Sequence, residues 1–167
     1  MSRSWAGSTI SDEKIILRTD SPQKTKRIGK ILGKYFSSGA VVALQGELGA
    51  GKTTLVKGIA KGLGVASEKT VSSPTFVLIH EYVGCKKIYH LDWYRLPRVE
   101  GADESMAEEC FASQGVTLVE WPERGRSLLP SRTVRIQLSH KGPRSRLITL
   151  TFPQSPAPAF LKALKKI

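Results

Sequence analysis

The sequence has few cysteines and no long apolar segment. These two features argue against a cysteine metal or redox site and against a membrane-spanning protein. Its 167 residues include two cysteines, Cys85 and Cys110, without the CxxC spacing of a metal or redox pair. We expect both to be free thiols in a reducing compartment. No apolar run approaches the ~20 residues that a membrane-spanning helix needs, and the first 19 residues lack a signal-peptide core. These features predict one cytoplasmic domain without membrane contact, with 1–11 and 156–167 loose or peripheral.

Acidic residues are also scarce. The chain has 26 Lys and Arg against 14 Asp and Glu, which gives a formal charge of +12. Such an excess favours contact with polyanions, including nucleic acid. The basic residues are spread along the chain without an arginine-rich arm, so they equally fit a solvated surface.

The most informative motif is the segment Gly46-Glu47-Leu48-Gly49-Ala50-Gly51-Lys52-Thr53, which matches GxxxxGK[ST]. An apolar run at 40–45 precedes it and predicts a buried strand, and Thr54 to Leu63 is typical of a helix. Glycines let successive backbone N–H groups point at a phosphate, and the helix dipole adds to the attraction. The pattern predicts that residues Glu47 to Thr54 bind a nucleotide, with Lys52 on the β- and γ-phosphates and the Thr53 hydroxyl on Mg²⁺.

The remaining pattern predicts a mixed sheet. Strands are expected at 14–18, 76–82, 87–91, 116–119, 134–138 and 147–152, helices at 22–38 and 101–112, and a short basic helix or frayed tail at 156–167. The segments 76–91 and 134–152 indicate antiparallel hairpins. We therefore expect an α/β protein with a three-layer P-loop NTPase fold and a mixed parallel and antiparallel sheet.

Two carboxylates follow apolar strands, at the place where a phosphate-binding loop needs an acidic partner. Glu120 ends the run at 116–119, and Asp92 ends the run at 88–91. One would coordinate Mg²⁺ and the other would orient or deprotonate a water molecule. A solvated carboxylate at a strand end is the alternative for each.

Other side chains are weaker candidates. Thr75 lies on a proline-stiffened turn where some P-loop proteins sense the γ-phosphate. Arg144 and Arg146 would meet phosphate or adenine if the late hairpin folds over the site, and Thr25 is a further possible contact. His90 shares a strand face with Asp92 and fits a packed structural histidine. The aromatic residues that follow the two carboxylates, Trp93 and Trp121, fit core or site-flanking positions.

Four stretches together resemble the bacterial TsaE (YjeE) family of P-loop ATPases. They are the loop, Ser73-Pro74-Thr75-Phe76, His90-Leu91-Asp92-Trp93-Tyr94-Arg95-Leu96 and Val119-Glu120-Trp121-Pro122-Glu123-Arg124, within residues 20–150. This family works with the TsaB and TsaD proteins to form N6-threonylcarbamoyladenosine at position 37 of tRNA.

The resemblance implies ATP hydrolysis with Mg²⁺ and a small mixed-sheet P-loop domain. It implies that Thr53 and Glu120 are metal ligands, that Asp92 is a second acidic catalytic residue and that Thr75 lies in a switch-like loop. The implied partners are TsaB and TsaD. The charge of the chain adds the expectation that tRNA is contacted either indirectly or through the basic surface.

Two other functions fit parts of the pattern. A nucleotide or small-metabolite kinase would use the same loop, but it would also need an arginine-bearing lid and an acceptor-binding helix pair, for which 64–120 offers no clear room. A nucleotide-dependent interaction module would differ mainly in hydrolysing ATP very slowly. The absence of an Asn-Lys-x-Asp string favours adenine over guanine.

Overall fold

A computed structural model describes residues 13–167 as a three-layer α/β domain. The lead-in predicted over 1–11 lies outside these residues. The strands are β1 (Glu13–Thr19), β2 (Val41–Gln45), β3 (Ile79–Val83), β4 (Lys87–Asp92), β5 (Val116–Glu120), β6 (Val134–His140) and β7 (Arg146–Phe152). The α-helices are α1 (Pro22–Tyr35), α2 (Lys52–Gly62), α3 (Ala102–Ala112) and α4 (Pro158–Leu164). Short 3₁₀ helices cover Glu68–Thr70 and Pro122–Leu128.

The seven strands form one mixed sheet in the order β1-β7-β6-β2-β5-β4-β3. Strands β6, β2, β5 and β4 are parallel, while β1, β7 and β3 pair antiparallel at the two sides. The phosphate-loop strand β2 and its neighbour β5 are almost wholly buried, because helices cover both of their faces. The expectation of a mixed sheet with two antiparallel hairpins is confirmed.

Two apolar clusters hold the layers together, one on each face of the sheet. The larger cluster joins α1, α2 and α4 to the sheet and includes Ile28, Leu32, Leu55, Ile59 and Phe152. The smaller cluster lies under α3 and the 3₁₀ helix Pro122–Leu128, and it includes Trp93, which is 2% exposed. Trp93 is therefore a core residue. None of the helices in residues 13–167 is long and apolar enough to cross a membrane.

Helix α1 begins as the sequence predicts, with Ser21 as N-cap and proline in the first turn. The Ser21 Oγ accepts a hydrogen bond from Lys24 N at 3.3 Å. The helix ends at Tyr35, a few residues before the predicted end.

Glycines on α1 and α2 bring these helices into very close contact. Gly29 and Gly33 lie on α1, one turn apart, opposite Gly58 and Gly62 on α2. A Cβ atom on Gly33 would lie only 2.2 Å from the Ile59 carbonyl oxygen. The backbones approach closely because no side chain stands between them, a feature that the sequence pattern did not reveal.

The clearest difference from the predicted elements lies in the segment that precedes β3. The strand predicted over 76–82 begins only at Ile79, because Val77 N and Leu78 N both donate to the Pro74 carbonyl oxygen in a turn. The expected helix or frayed tail at the end of the chain is a helix, α4. Its Phe160 is 6% exposed and stacks on Tyr35 with ring centroids 4.1 Å apart.

Candidate functional site

The glycine-rich loop connects the buried strand β2 to the first turn of α2. Gly49 and Gly51 adopt φ angles of 77° and 101°, in the left-handed region that favours glycine. Gly51 is the N-cap residue and has no side chain over the helix end, so the first N–H groups of α2 remain open to an anion. A Cβ on Gly46 would lie 2.6 Å from the Leu138 carbonyl oxygen, which explains the first glycine of the motif.

Lys52 is buried beneath this loop, with 5% of its surface exposed. Its Nζ donates to the carbonyl oxygens of Gly46 at 2.6 Å and Glu47 at 3.0 Å. The same ammonium lies 4.0 Å from the centroid of the Trp121 ring. Burial lowers the pKa of Lys52, and the negative charges of nearby carboxylates, Glu120 foremost, oppose this effect.

Trp121 reaches that position through an unusual backbone conformation. Its φ and ψ angles are 58° and 49°, in the left-handed region that costs a bulky residue about 1–2 kcal/mol. The ring also packs against Tyr94, with centroids 4.9 Å apart. The sequence left a core or a site-flanking position open for Trp121, and its contact with the lysine places it at the site.

Glu120 links the loop helix to the centre of the sheet. Its Oε1 accepts a hydrogen bond from the Thr53 hydroxyl at 3.0 Å and another from His90 Nε2 at 2.9 Å. His90 is fully buried, and its Nδ1 has no hydrogen-bond partner in the described part of the chain. His90 shares the face of Asp92 as expected, and it also contacts the carboxylate that the sequence singled out, which the pattern alone did not predict.

Asp92 lies beside Glu120, because the two are register partners on the neighbouring parallel strands β4 and β5. Asp92 Oδ2 accepts hydrogen bonds from the hydroxyls of Ser73 and, at 2.8 Å, of Thr75. Its Oδ1 accepts from Tyr94 N at 2.9 Å. Asp92 Oδ2 therefore holds the Ser73–Thr75 turn at the end of β4, while Oδ1 is held by the backbone of Tyr94.

Sequence reasoning did not single out Ser73. Its hydroxyl contacts both the Asp92 carboxylate and, at 2.9 Å, the Thr75 hydroxyl. The sequence feature that could have identified it is its place in the Ser-Pro-Thr-Phe stretch, two residues before Thr75.

A cavity of about 440 Å³ opens beside the loop, between the start of α1 and the turn joining β6 to β7. It is lined by Gly49, Gly51 and Thr54 from the loop and α2, by residues 20–23 and 25 from the start of α1, and by 143, 144 and 146 from the turn. The late hairpin thus brings Arg144 and Arg146 next to the phosphate loop. The Thr25 hydroxyl lies 3.0 Å from that of Thr19 and donates to the Ser21 carbonyl oxygen at 3.2 Å, so it serves the packing of α1.

Exposed apolar side chains surround the open side of the site. Leu48 of the loop is 71% exposed, and Phe76 after the Ser73–Thr75 turn is 82% exposed. The Arg95 guanidinium lies 4.1 Å from the centre of the Phe76 ring, and Val77 and Tyr94 are also exposed. Large apolar groups beside a polar site are typical of surfaces that meet another macromolecule.

Comparisons with known proteins give a consistent result. A family model described as "Threonylcarbamoyl adenosine biosynthesis protein TsaE" matches residues 19–148. A tRNA threonylcarbamoyladenosine biosynthesis protein TsaE from Treponema pallidum is 45% identical over 130 residues, covering 78% of this chain and 95% of that protein. The protein of the same description from Bacillus subtilis is 41% identical over 135 residues, covering 80% and 83%.

A solved structure has the same fold. The crystal structure of Bacillus subtilis YdiB aligns with a TM-score of 0.75 and 35% identity, covering 93% of this chain and 96% of that one.

Proposed function

We propose, from the premise that this chain belongs to the TsaE family of threonylcarbamoyl adenosine biosynthesis proteins, that it is a magnesium-dependent ATPase acting on a complex of TsaB and TsaD. Its proposed place is the cytoplasm, where it supports formation of N6-threonylcarbamoyladenosine in tRNA. In this proposal ATP hydrolysis drives the partner complex and does not itself build the threonylcarbamoyl group.

The contact between Thr53 and Glu120 carries the proposal. A hydroxyl and a carboxylate oxygen, 3.0 Å apart at the end of a phosphate loop, are the hard oxygen donors that Mg²⁺ prefers. In residues 13–167 no group of three or more His, Cys, Asp or Glu side chains is arranged to hold a metal ion alone. This donor set fits Mg²⁺, which keeps water and takes phosphate oxygens as further ligands.

The loop residues would bind and orient the triphosphate. Backbone N–H groups at the start of α2 point toward the loop, and the Lys52 ammonium, held now by carbonyl oxygens, is close enough to exchange them for phosphate oxygens. Bound Mg²⁺ would neutralise charge that develops on the phosphates. His90 and Thr53 fix the Glu120 carboxylate by hydrogen bonds, so it is already oriented for its proposed metal.

Asp92 would act as the second acidic catalytic group, and the Ser73–Thr75 turn would control access to its carboxylate. Both of its oxygens accept hydrogen bonds from that turn and from Tyr94 N. A water molecule gains access to Asp92 Oδ2 when Ser73 or Thr75 releases it. This exchange would make the position of the turn depend on the contents of the site.

The cavity beside the loop is the proposed site of the adenosine portion of ATP. Its volume of about 440 Å³ lies within the range of small-molecule pockets. Arg144 stands on the turn at its rim, where a guanidinium can stack on a base or meet a phosphate.

The exposed apolar side chains next to the site support the proposed action on a protein partner. Phe76 follows Thr75 directly, so movement of the Ser73–Thr75 turn would move a large exposed ring. This observation also fits the interaction-module alternative, in which nucleotide binding matters more than turnover. A kinase is less well supported, because 64–120 contains three strands, one short 3₁₀ helix and one α-helix, and thus no helix pair for an acceptor.

The test is ATP hydrolysis by the purified chain, alone and with TsaB and TsaD. We expect slow turnover alone, a higher rate with the partners, and loss of turnover in Lys52→Ala. The control is Lys162→Ala, which removes an equal charge from the exposed surface of α4. ATP binding without turnover in any mixture would favour the interaction module, and no effect of the partners would refute the proposed role.

A further inference from the structure

Two neighbouring helices on one face of the sheet are basic, whereas the α-helix on the other face is acidic. Helices α1 and α2 contain no acidic residue, whereas α3 on the opposite face of the sheet contains four acidic residues and no basic one. Apart from the buried Lys52, α1 and α2 carry seven basic residues, and all of them except Lys24 in the first turn of α1 form what we call the basic face: Lys26, Arg27, Lys30, Lys34, Lys57 and Lys61. A surface made basic for solubility alone would not require this difference in charge between α1 and α2 on one face and α3 on the other.

The glycine contacts between α1 and α2 bring these cations together. Cβ atoms on Gly58 and Gly62 would lie 2.3 Å from the carbonyl oxygens of Lys26 and Lys30, so the two backbones are in direct contact there. Gly29 is opposite Gly58 and Gly33 is opposite Gly62, which shows that the helices run in the same direction. The two rows of basic side chains therefore lie side by side along one surface.

Glu68 is influenced by basic side chains from both helices. Its carboxylate lies 2.5 Å from Lys26 Nζ, and this hydrogen bond lowers its pKa, with further contributions from the charges of Lys57 and Lys61. One carboxylate is thus shared by cations of both helices. Arg27, Lys30 and Lys34 extend into solvent beyond it.

The side chains of the basic face indicate which class of macromolecule it binds. The large exposed apolar side chains of residues 13–167 are Ile16, Leu48, Phe76, Val77, Val83 and Tyr94, and none of them belongs to α1 or α2. The buried centre of a protein interface is enriched in apolar and aromatic groups and depleted of charge, and a membrane-bound helix inserts apolar groups between lipids. Contact with a nucleic-acid backbone needs only cations and polar groups at suitable spacing.

We propose that the basic face binds the phosphate backbone of a structured RNA, and that tRNA is this RNA. The choice of tRNA rests on the proposed function, whereas the electrostatic basis does not. Both helices start at the nucleotide site, since α1 begins at the cavity and α2 begins in the phosphate loop. RNA on their outer surface leaves the loop open, so RNA and ATP bind together. Because backbone contacts position a nucleic acid without reading it, binding is independent of the anticodon sequence.

The experiment measures binding of the full chain to a fluorescent tRNA transcript by anisotropy over a series of salt concentrations. The test variant is Arg27→Gln with Lys30→Gln. The matched control, Arg98→Gln with Arg132→Gln, removes the same charge from exposed positions outside α1 and α2.

We expect the test variant to bind at least roughly tenfold more weakly at 0.1 M salt, with the slope of log affinity against log salt reduced by about 1.4–1.8. The control should bind within about twofold of the unchanged chain, and a transcript with another anticodon should bind equally well. ATP hydrolysis is measured on the same samples. Unchanged hydrolysis in the test variant separates loss of RNA binding from failure of the proposed ATPase or of folding.

Four results would overturn the proposal. Equal weakening in test and control variants would mean that net charge alone attracts RNA. Unchanged binding in the test variant, or no salt-dependent binding by the original chain, would exclude the basic face as an RNA site. Competition between ATP and tRNA would place the RNA over the loop instead.

Discussion

Replacement of Gly33 by alanine should destabilise the protein, although the same change in most helices is stabilising. In an ordinary helix interior, alanine is favoured over glycine by about 1 kcal/mol. Here the new methyl group would lie 2.2 Å from the Ile59 carbonyl oxygen and 3.0 Å from Gly62 Cα. Both neighbours are backbone atoms of α2, so no side-chain rotation can relieve the contact.

The size of the effect follows from how far the helices must separate. Ordinary van der Waals contact begins near 3.4 Å, so α1 and α2 have to move apart by about 1 Å at this point. Overpacking of this kind costs about 1–3 kcal/mol, occasionally more. Because both contacts are with backbone atoms that cannot rotate away, we take the upper part of this range, about 2–3 kcal/mol. After the gain of about 1 kcal/mol in helix propensity, we expect a net loss of about 1–2 kcal/mol in the free energy of unfolding. For a domain of this size that corresponds to a fall in Tm of roughly 2–8 °C.

Thermal and urea unfolding would measure this change. The control is Lys34→Ala on the next residue, whose side chain is exposed and whose replacement should alter stability by less than about 0.5 kcal/mol. A Tm for Gly33→Ala equal to or above that of the original chain would refute the close packing of α1 on α2. It would also remove the basis for treating their basic residues as one surface.

Further variants test the site itself. Glu120→Gln keeps an oxygen for Thr53 and His90 but removes the charge, so Mg²⁺-dependent turnover should fall by about 100-fold or more while Tm stays nearly unchanged; unaltered turnover would contradict its assignment as a metal ligand. Trp121→Leu removes the ring beneath the lysine ammonium, a contact worth about 0.5–2 kcal/mol, and should lower kcat/KM for ATP about three- to thirtyfold; an unchanged value would make the ring purely structural. Burial raises the pKa of Cys110 to about 11, so at pH 8 about one thiol in a thousand is ionised. Iodoacetamide should therefore modify the exposed Cys85 first and Cys110 only on unfolding, as peptide mass spectrometry would show.

The sequence predicts the parts of the fold that depend on local patterns. The buried run before the glycine loop, the Ser21 cap and the alternating strands at 134–152 each carry their own signal, and all appear as expected. The strand predicted from Phe76 starts late because Pro74 accepts two turn hydrogen bonds, which depend on backbone geometry that hydrophobicity does not encode. Phe76 is apolar but 82% exposed, so its character misled the strand assignment.

Contacts between distant segments were the part that could not be predicted. The glycines at 29, 33, 58 and 62 look like weak points within helices until α1 and α2 are placed together. In the same way, His90 fits an ordinary core histidine until β4 and β5 are paired, which places its Nε2 2.9 Å from Glu120. Strand register, rather than any property of the residue itself, creates that contact.

Some features of the candidate site follow from local sequence patterns, and others depend on contacts between distant segments. The glycine loop, Lys52 and Thr53 are specified by a short motif, and the two strand-end carboxylates follow from the apolar runs that precede them. The hydrogen bonds from Ser73 and Thr75 to Asp92 link residues 17 to 19 positions apart in the chain. These bonds give the turn its proposed dependence on the site, and only the folded chain reveals them.

Reconstituted formation of threonylcarbamoyladenosine on tRNA, with TsaB and TsaD present, is the most direct test of the central claim. Modified tRNA is counted over many turnovers without this chain, with it, and with its Lys52→Ala variant. We predict continued modification only with the intact chain, together with ATP consumption that requires Mg²⁺. Equal yields in all three reactions, or full activity of the Lys52→Ala variant, would contradict the claim that hydrolysis at this loop drives the partner complex.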